Sequence, residues 1–215
     1  MAVSWILRTF AKYKLVLLTV RKVFAFDFDG TITTKDTLLE FIKYAKGRTA
    51  LYGALLVFLP LLMLMKLRLY SNHKTKEKVF SRLFRGMSLE EFNSLCRNFA
   101  KCNRHLLRPK AMQYIADALE KPEASIIIIS ASIENWVTPF FAYQPSIKVL
   151  GTQIEVIDGR LTGRFLTANC YGQEKVNRLL SEYPDRNTYR LTAFGDSSGD
   201  RELLAFADEA HYKPF

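Results

Sequence analysis

The chain has 215 residues, 49% of them hydrophobic and 24% charged; it can bury a substantial core, and its composition excludes the disordered and collagen-like classes. The formal net charge of +10 is uneven: residues 1–26 carry five bases and no acid, residues 47–108 twelve bases against three acids, and residues 109–215 eleven against fourteen. Basic regions of this kind attract anions, so nucleic acid, anionic lipid and phosphorylated substrates are the partner classes that charge admits.

Residues 1–22 interleave Trp5, Ile6, Leu7 and Phe10 with Arg8, Lys12 and Lys14, ahead of Leu15–Val20. Arg21 and Lys22 close that apolar stretch after six residues, short of the roughly 7–15 a secretory signal needs, so the expectation is a loose or surface-lying basic extension. Val23–Thr31, VFAFDFDGT, reads as a buried strand running into a Gly-Thr turn. Its period places Asp27 and Asp29 on one face at the carboxyl end, where open α/β sheets bind ligands.

A helix is predicted over residues 33–47, capped by Thr34 or Asp36 and ended by Gly47. Thr49–Met65 then runs seventeen residues without a charge between Arg48 and Lys66, fewer than the about 20 apolar residues of a membrane span. Pro60 interrupts it, predicting two kinked helical pieces. The preferred reading makes Leu55–Leu64 the core of a helical subdomain, with contact at a membrane interface as the alternative. Two more helices follow over residues 73–108, the second opening with Ser88 and Glu91 in capping-box spacing.

From Pro109 the pattern becomes that of an α/β protein. A helix is followed by a strand at Ile126–Ile129 ending in Ser130-Ala131-Ser132, a hairpin turning at Asp158-Gly159, a helix with Lys175 near its start, and a strand at Leu191–Phe194 ending in GDSSGD at 195–200. The expected fold is therefore α/β, a Rossmann-like parallel sheet with an inserted all-helical subdomain. Its parts are a basic extension over residues 1–22, a catalytic core over 23–35 and 109–215, and a helical cap over 36–108. Cys96, Cys102 and Cys170 cannot all pair within the chain and show no disulfide framework, which favours a reducing compartment. Cys96, Cys102 and His105 share one predicted helix but lack the second pair a zinc site requires.

The sheet topology lets Asp27, Asp29, Ser130, Lys175, Asp196 and Asp200 converge on one edge. Four carboxylates in one cleft repel one another unless a cation lies among them, and a hard oxygen-liking ion such as magnesium suits them. One lysine and one hydroxyl remain to hold phosphate oxygens, which is most of what phosphoryl transfer needs.

These residues resemble the haloacid dehalogenase superfamily, and in particular its phosphoserine-phosphatase-like branch, over about residues 23–215. The resemblance rests on DFDGT at 27–31, the hydrophobic run ending in Ser130, Lys175, and GDSSGD at 195–200, in that order. It implies Asp27 as nucleophile forming an aspartyl-phosphate, Asp29 as general acid and base, and Ser130 and Lys175 as phosphate ligands with Gly30 and Ala131 beside them. It also implies magnesium held by Asp27, Asp29, Asp196 and Asp200. Asp36 stands where phosphoserine phosphatases carry a substrate-binding glutamate, Ser130-Ala131-Ser132 replaces the usual Ser-Gly-Gly, and the insertion holds a long apolar run. Those departures make the chain more similar to branch members that act on phosphatidylglycerophosphate.

The expected function is a magnesium-dependent phosphomonoesterase acting on a small or lipid-linked phosphate ester. The alternatives are a membrane-surface phosphatidylglycerophosphate-type phosphatase and a non-enzymatic anion-binding protein on the same fold. The expected setting is cytoplasmic, with peripheral association to an anionic membrane on the cytoplasmic face as the variant; nucleic acid is not an expected partner.

Overall fold

A computed structural model describes residues 21–67 and 69–215; the basic extension, apart from Arg21 and Lys22, lies outside them. Strand β1 (Arg21–Phe26) leads through a tight loop into helix α1 (Thr37–Lys66), then α2 (Asn72–Phe84), α3 (Leu89–Cys102) and α4 (Pro109–Leu119). Next come β2 (Ala124–Ile133), α5 (Glu134–Val137), β3 (Lys148–Thr152) and the hairpin β4 (Ile154–Ile157) and β5 (Arg160–Phe165). Helix α6 (Gln173–Glu182), β6 (Tyr189–Gly195), α7 (Arg201–Phe206) and β7 (Glu209–Tyr212) complete the chain.

Five strands form one sheet in the order β3-β2-β1-β6-β7, with every neighbouring pair parallel. Connections leaving β1 run toward β2 and β3, whereas β6 leads the other way to β7. The carboxyl ends of β1 and β6 therefore flank the switch point at which open α/β sheets bind ligands. Short β3 and β7 gave no strand signal of their own; the other strands stand where the apolar runs predicted them.

Alternation on β1 explains why it is buried on both faces. Phe24 and Phe26 join Ile126, Ile128 and Phe194 in a core shared with Ala111, Ile115 and Ala118 of α4. Val23 and Ala25 join Ile127, Ile129, Leu191 and Ala193 in a second core under Val176, Leu179 and Leu203. Phe26 stacks on Phe194 with ring centroids 4.3 Å apart, an aromatic contact adding about 0.5–1.5 kcal/mol beyond area burial.

The inserted helices are capped where their sequences allow. Asp36 accepts from Leu38 and Leu39 N–H at the start of α1, Ser71 from Lys74 N–H before α2, and Ser88 from Glu91 N–H before α3. Pro109 takes the first position of α4, where its missing N–H is harmless. Phe41, Phe80, Phe84, Phe92 and Phe99 belong to the same core as one sheet face, and Trp136 of α5 stacks on Phe41 at 4.9 Å. The insertion is thereby sealed onto the sheet.

Two expectations for α1 are corrected. Gly47 (φ 86°, ψ 167°) interrupts the helix where an end was expected, but Pro60, expected to split the following stretch into two kinked pieces, lies inside a continuous helix. Gly47 takes a conformation closed to residues with a Cβ, while Pro60 keeps helical dihedrals on an exposed face. Leu55–Leu64 also fail to form a core. In this part only Leu51 and Ala54 are buried, whereas Leu56 is 73% exposed and Met63 59%. Of the most apolar 18-residue window only 11% is buried. Among the described residues this is the one helix long and apolar enough to cross a membrane.

Candidate active site

The β1 ladder continues one residue past the strand: Asp27 N–H donates to the Phe194 carbonyl of β6 at 2.9 Å, which pins Asp27 at the switch point. The loop Phe28–Ile32 then turns through Gly30 at φ +81°. A Cβ at Gly30 would run into the Asp196 carboxylate, so glycine is required both for the turn and for that close approach. From the opposite strand, Asp196 follows Gly195, and Asp200 is drawn inward by the turn after β6. Helix α6 directs buried Lys175 between the two strand ends.

Lys175 Nζ donates to Asp27 Oδ1 and to Asp200 Oδ1, each at 2.5 Å. Asp200 is fully buried, and its other oxygen accepts from Asp196 N–H, Ser197 N–H and Ser197 Oγ at 3.2, 3.0 and 2.9 Å. Burial works against the Asp200 carboxylate, but the Lys175 charge and these donors outweigh it and hold its pKa below the usual range. Burial dominates at Asp27 despite Lys175, and with Asp200 nearby its pKa is pushed up to about 7. Asp196 is also raised, by burial and then by the Asp200 charge. Lys175 is raised, since the two carboxylates overcome its desolvation.

Asp29 is bound differently. Thr37, the first residue of α1, donates to Oδ1 from its N–H at 2.7 Å and its Oγ1 at 2.6 Å. Ser132 Oγ donates to Oδ2 at 2.5 Å, and Trp136 Nε1 donates to Thr37 Oγ1 at 3.3 Å. Burial, reinforced by the Asp36 charge, raises the Asp29 pKa against those donors. Its carboxylate thus bridges the insertion and the sheet.

Asp27, Asp29, Gly30, Ala131, Lys175 and Asp196 open onto one cavity of about 460 Å³, with Asp36 at its rim. Two predicted residues are placed elsewhere. Ser130 is fully buried, with its Oγ accepting from Ser132 N–H at 3.0 Å, and Asp200 is set behind the wall. Asp36 has its Oδ1 engaged as the N-cap of α1.

Sequence reasoning missed Thr37, Ser132 and Lys76. Lys76 of α2 lines the cavity and lies 3.5 Å from the Ala131 carbonyl; it is one base among many in that region, and no spacing singles it out. Ser132 carried a signal in the departure from Ser-Gly-Gly, since a second hydroxyl there can reach a carboxylate.

Among the described residues, Asp27, Asp196 and Asp200 form the one group whose acidic oxygens lie within 4.8 Å of one another. Three carboxylates share a single buried ammonium, a charge imbalance that fits a divalent cation with oxygen ligands.

The sequence matches the family of haloacid dehalogenase-like hydrolases over residues 24–205. It is 34% identical over 195 residues to Protein CicA of Caulobacter vibrioides, spanning 89% of this chain and 85% of that protein. The fold is similar to that of a protein of unknown function from Bordetella pertussis Tohama I, at TM-score 0.76 and 18% identity over 89% of each chain. It is also similar to a phospho-aspartyl intermediate analogue of phosphoserine phosphatase, at TM-score 0.58 and 16% identity over 89% of this chain and 86% of the other.

Proposed function

The chain belongs to the haloacid dehalogenase-like hydrolases, and from that premise we propose that it is a magnesium-dependent phosphomonoesterase working through an aspartyl-phosphate on a small or lipid-linked ester. The observation that carries the proposal is the convergence of Asp27, Lys175, Asp196 and Asp200 at the switch point.

In this mechanism Asp27 attacks phosphorus while Asp29 gives its proton to the departing alkoxide, breaking the P–O ester bond and forming the Asp27–phosphate bond. Asp29, now a carboxylate, takes a proton from water, whose oxygen attacks the same phosphorus. Inorganic phosphate leaves, and Asp27 is regenerated. The raised pKa of Asp29 suits the first proton transfer. Lys175 and Lys76 supply positive charge to the phosphoryl oxygens, and the Ser130 hydroxyl, accepting from Ser132 N–H, supports the end of β2 that carries Ala131. Magnesium would be held by Asp27, the Asp29 carbonyl and Asp196, with Asp200 directly or through water, and would neutralise phosphate charge when bound.

A second reading, a phosphatidylglycerophosphate-type phosphatase met at a membrane surface, is favoured by the exposure of the apolar part of α1. A protein that merely bound anions would have no use for Asp27 and Asp29 in addition to the lysines. Free Cys96, Cys102 and Cys170 suit a cytoplasmic setting. The test is turnover of a phosphomonoester panel that includes phosphatidylglycerophosphate, before and after chelation. Activity should vanish with chelator and return with magnesium; full activity in a metal-free preparation would refute the metal role, and no turnover of any ester would refute the phosphatase.

A further inference from the structure

We infer that the outward face of α1 between Arg48 and Lys66 is a seat for an anionic phospholipid bilayer, with the helix lying in the membrane interface, not crossing it. The inference deepens the phosphatase reading by naming where a lipid-linked ester is met, but the docking itself does not depend on that chemistry.

The exposed face carries Tyr52, Leu56, Val57, Leu59, Met63 and Leu64, between 38 and 73% exposed. Leu51 and Ala54 occupy the opposite stripe and are withdrawn into the protein. A surface helix that met only water would carry polar residues outward, and a contiguous apolar patch of this kind marks an interaction site.

Both ends of the helix are tied to one body. Phe41 and Ile42 before the Gly47 break share a core with Phe80 and Phe84 of α2, and Met65 and Asn72 line the cavity that holds Asp27. A crossing helix from Arg48 to Lys66 would separate its ends by about 27 Å. The six residues on to Asn72 return at most about 20 Å when fully extended, and Leu69 N–H donates to the Leu64 carbonyl instead, turning the chain back at once.

Charge selects the occupant. Exposed Arg48 and Lys66 bracket the face, and exposed Lys74 and Lys78 follow on α2. A second copy would bring the same positive field against its own, whereas anionic head groups complement it. The cavity next to the catalytic one, about 560 Å³, shares Met65 and Asn72 with it and adds Lys66, Arg201 and Glu202, two cations against one carboxylate beside the apolar face.

The experiment uses the full chain and vesicles of phosphatidylglycerol with phosphatidylcholine, against phosphatidylcholine alone. Wild type should float with the anionic vesicles, less so at raised salt, and resist the neutral ones. Leu56→Asp with Met63→Asp should weaken that binding by about tenfold or more, while hydrolysis of soluble p-nitrophenyl phosphate stays at the wild-type rate. Alkaline carbonate should release the bound protein. Absence of wild-type binding, equal binding by the double variant, or retention through carbonate would each overturn the inference. Self-association abolished by the double variant without vesicle binding would overturn it in favour of a second copy. Vesicle binding without turnover of any phosphomonoester, phosphatidylglycerophosphate included, would leave the seat standing and remove the phosphatase.

Discussion

Val23–Phe26 and Thr49–Met65 are both uncharged runs closed by charged residues, yet the first is buried at every position whereas the second withdraws only Leu51 and Ala54. The difference follows from what each element can be paired with. A β-strand needs neighbours for its backbone as well as its side chains, so β1 is enclosed by β2 and β6 and by helices on both faces. A helix satisfies its own backbone, and nothing but side-chain burial obliges it to be covered. Low polarity therefore states that a segment avoids water, without stating whether protein or lipid replaces the water.

The comparison is broken most sharply at the end of the buried run. Asp27→Asn keeps the volume and removes the proposed nucleophile, so phosphatase activity should fall by about 10³-fold or more, with the fold intact by circular dichroism and vesicle binding unchanged. Activity within about tenfold of wild type would remove Asp27 from the nucleophile role.

Stability separates the two runs next. Phe26→Ala empties the Phe194 stack and should cost about 3–5 kcal/mol, whereas Leu56→Ala on the exposed face should stay within about 0.5 kcal/mol. Urea denaturation reads both; comparable losses would mean that the exposed face is covered in solution.

A third contrast concerns Asp29, which is held by the insertion through Thr37 and by the sheet through Ser132. Asp29→Asn should slow alkyl phosphates by about 10²-fold and p-nitrophenyl phosphate much less, because a good leaving group needs no proton. Ser132→Ala should shift the pH profile of alkyl ester hydrolysis without abolishing it. Equal losses on both ester types would count against the acid.

How much of this was legible depends on the range of the signal. Asp27, Asp29, Lys175 and Asp196 were readable because each sits in a local pattern, a strand end or a helix start, whose topology places it at one edge. The Asp158-Gly159 turn was readable for the same reason, and both residues adopt positive φ. Thr37 and Lys76 were not, since their roles arise from contacts with Asp29 and Ala131 that no spacing encodes. The break at Gly47 was legible as a helix end, whereas the kink expected at Pro60 did not form, because an exposed apolar helix tolerates one missing N–H where the chain has room to adjust. Exposure of Leu55–Leu64 was unreadable in principle from hydropathy, which is the same for a core and for a lipid contact.

The smallest expected effect joins metal to pH. Without the cation, burial pushes Asp27 up to about 7 from its ordinary 3.8, so the native state holds a proton there that the unfolded chain has lost. That stabilisation is full below the unfolded value and is lost as pH rises through about 7. Asp29 and Asp196, also raised, act in the same direction, while Asp200, lowered, contributes stability that is lost only toward acid. The metal-free protein should therefore weaken between roughly pH 4 and pH 7 and level off above. The proposed magnesium needs the carboxylate, so its binding should displace the Asp27 proton below pH 7, and its apparent affinity should rise by up to about tenfold per pH unit before levelling. The thermal shift produced by magnesium should accordingly be small at acid pH and large above neutrality, and Asp27→Asn should flatten its pH dependence. The exposed run supplies the control: Leu56→Asp with Met63→Asp should leave both curves where they are, because no titrating group of the cavity lies on that face, and a pH-independent magnesium shift in the wild type would show that Asp27 is ionised without the metal.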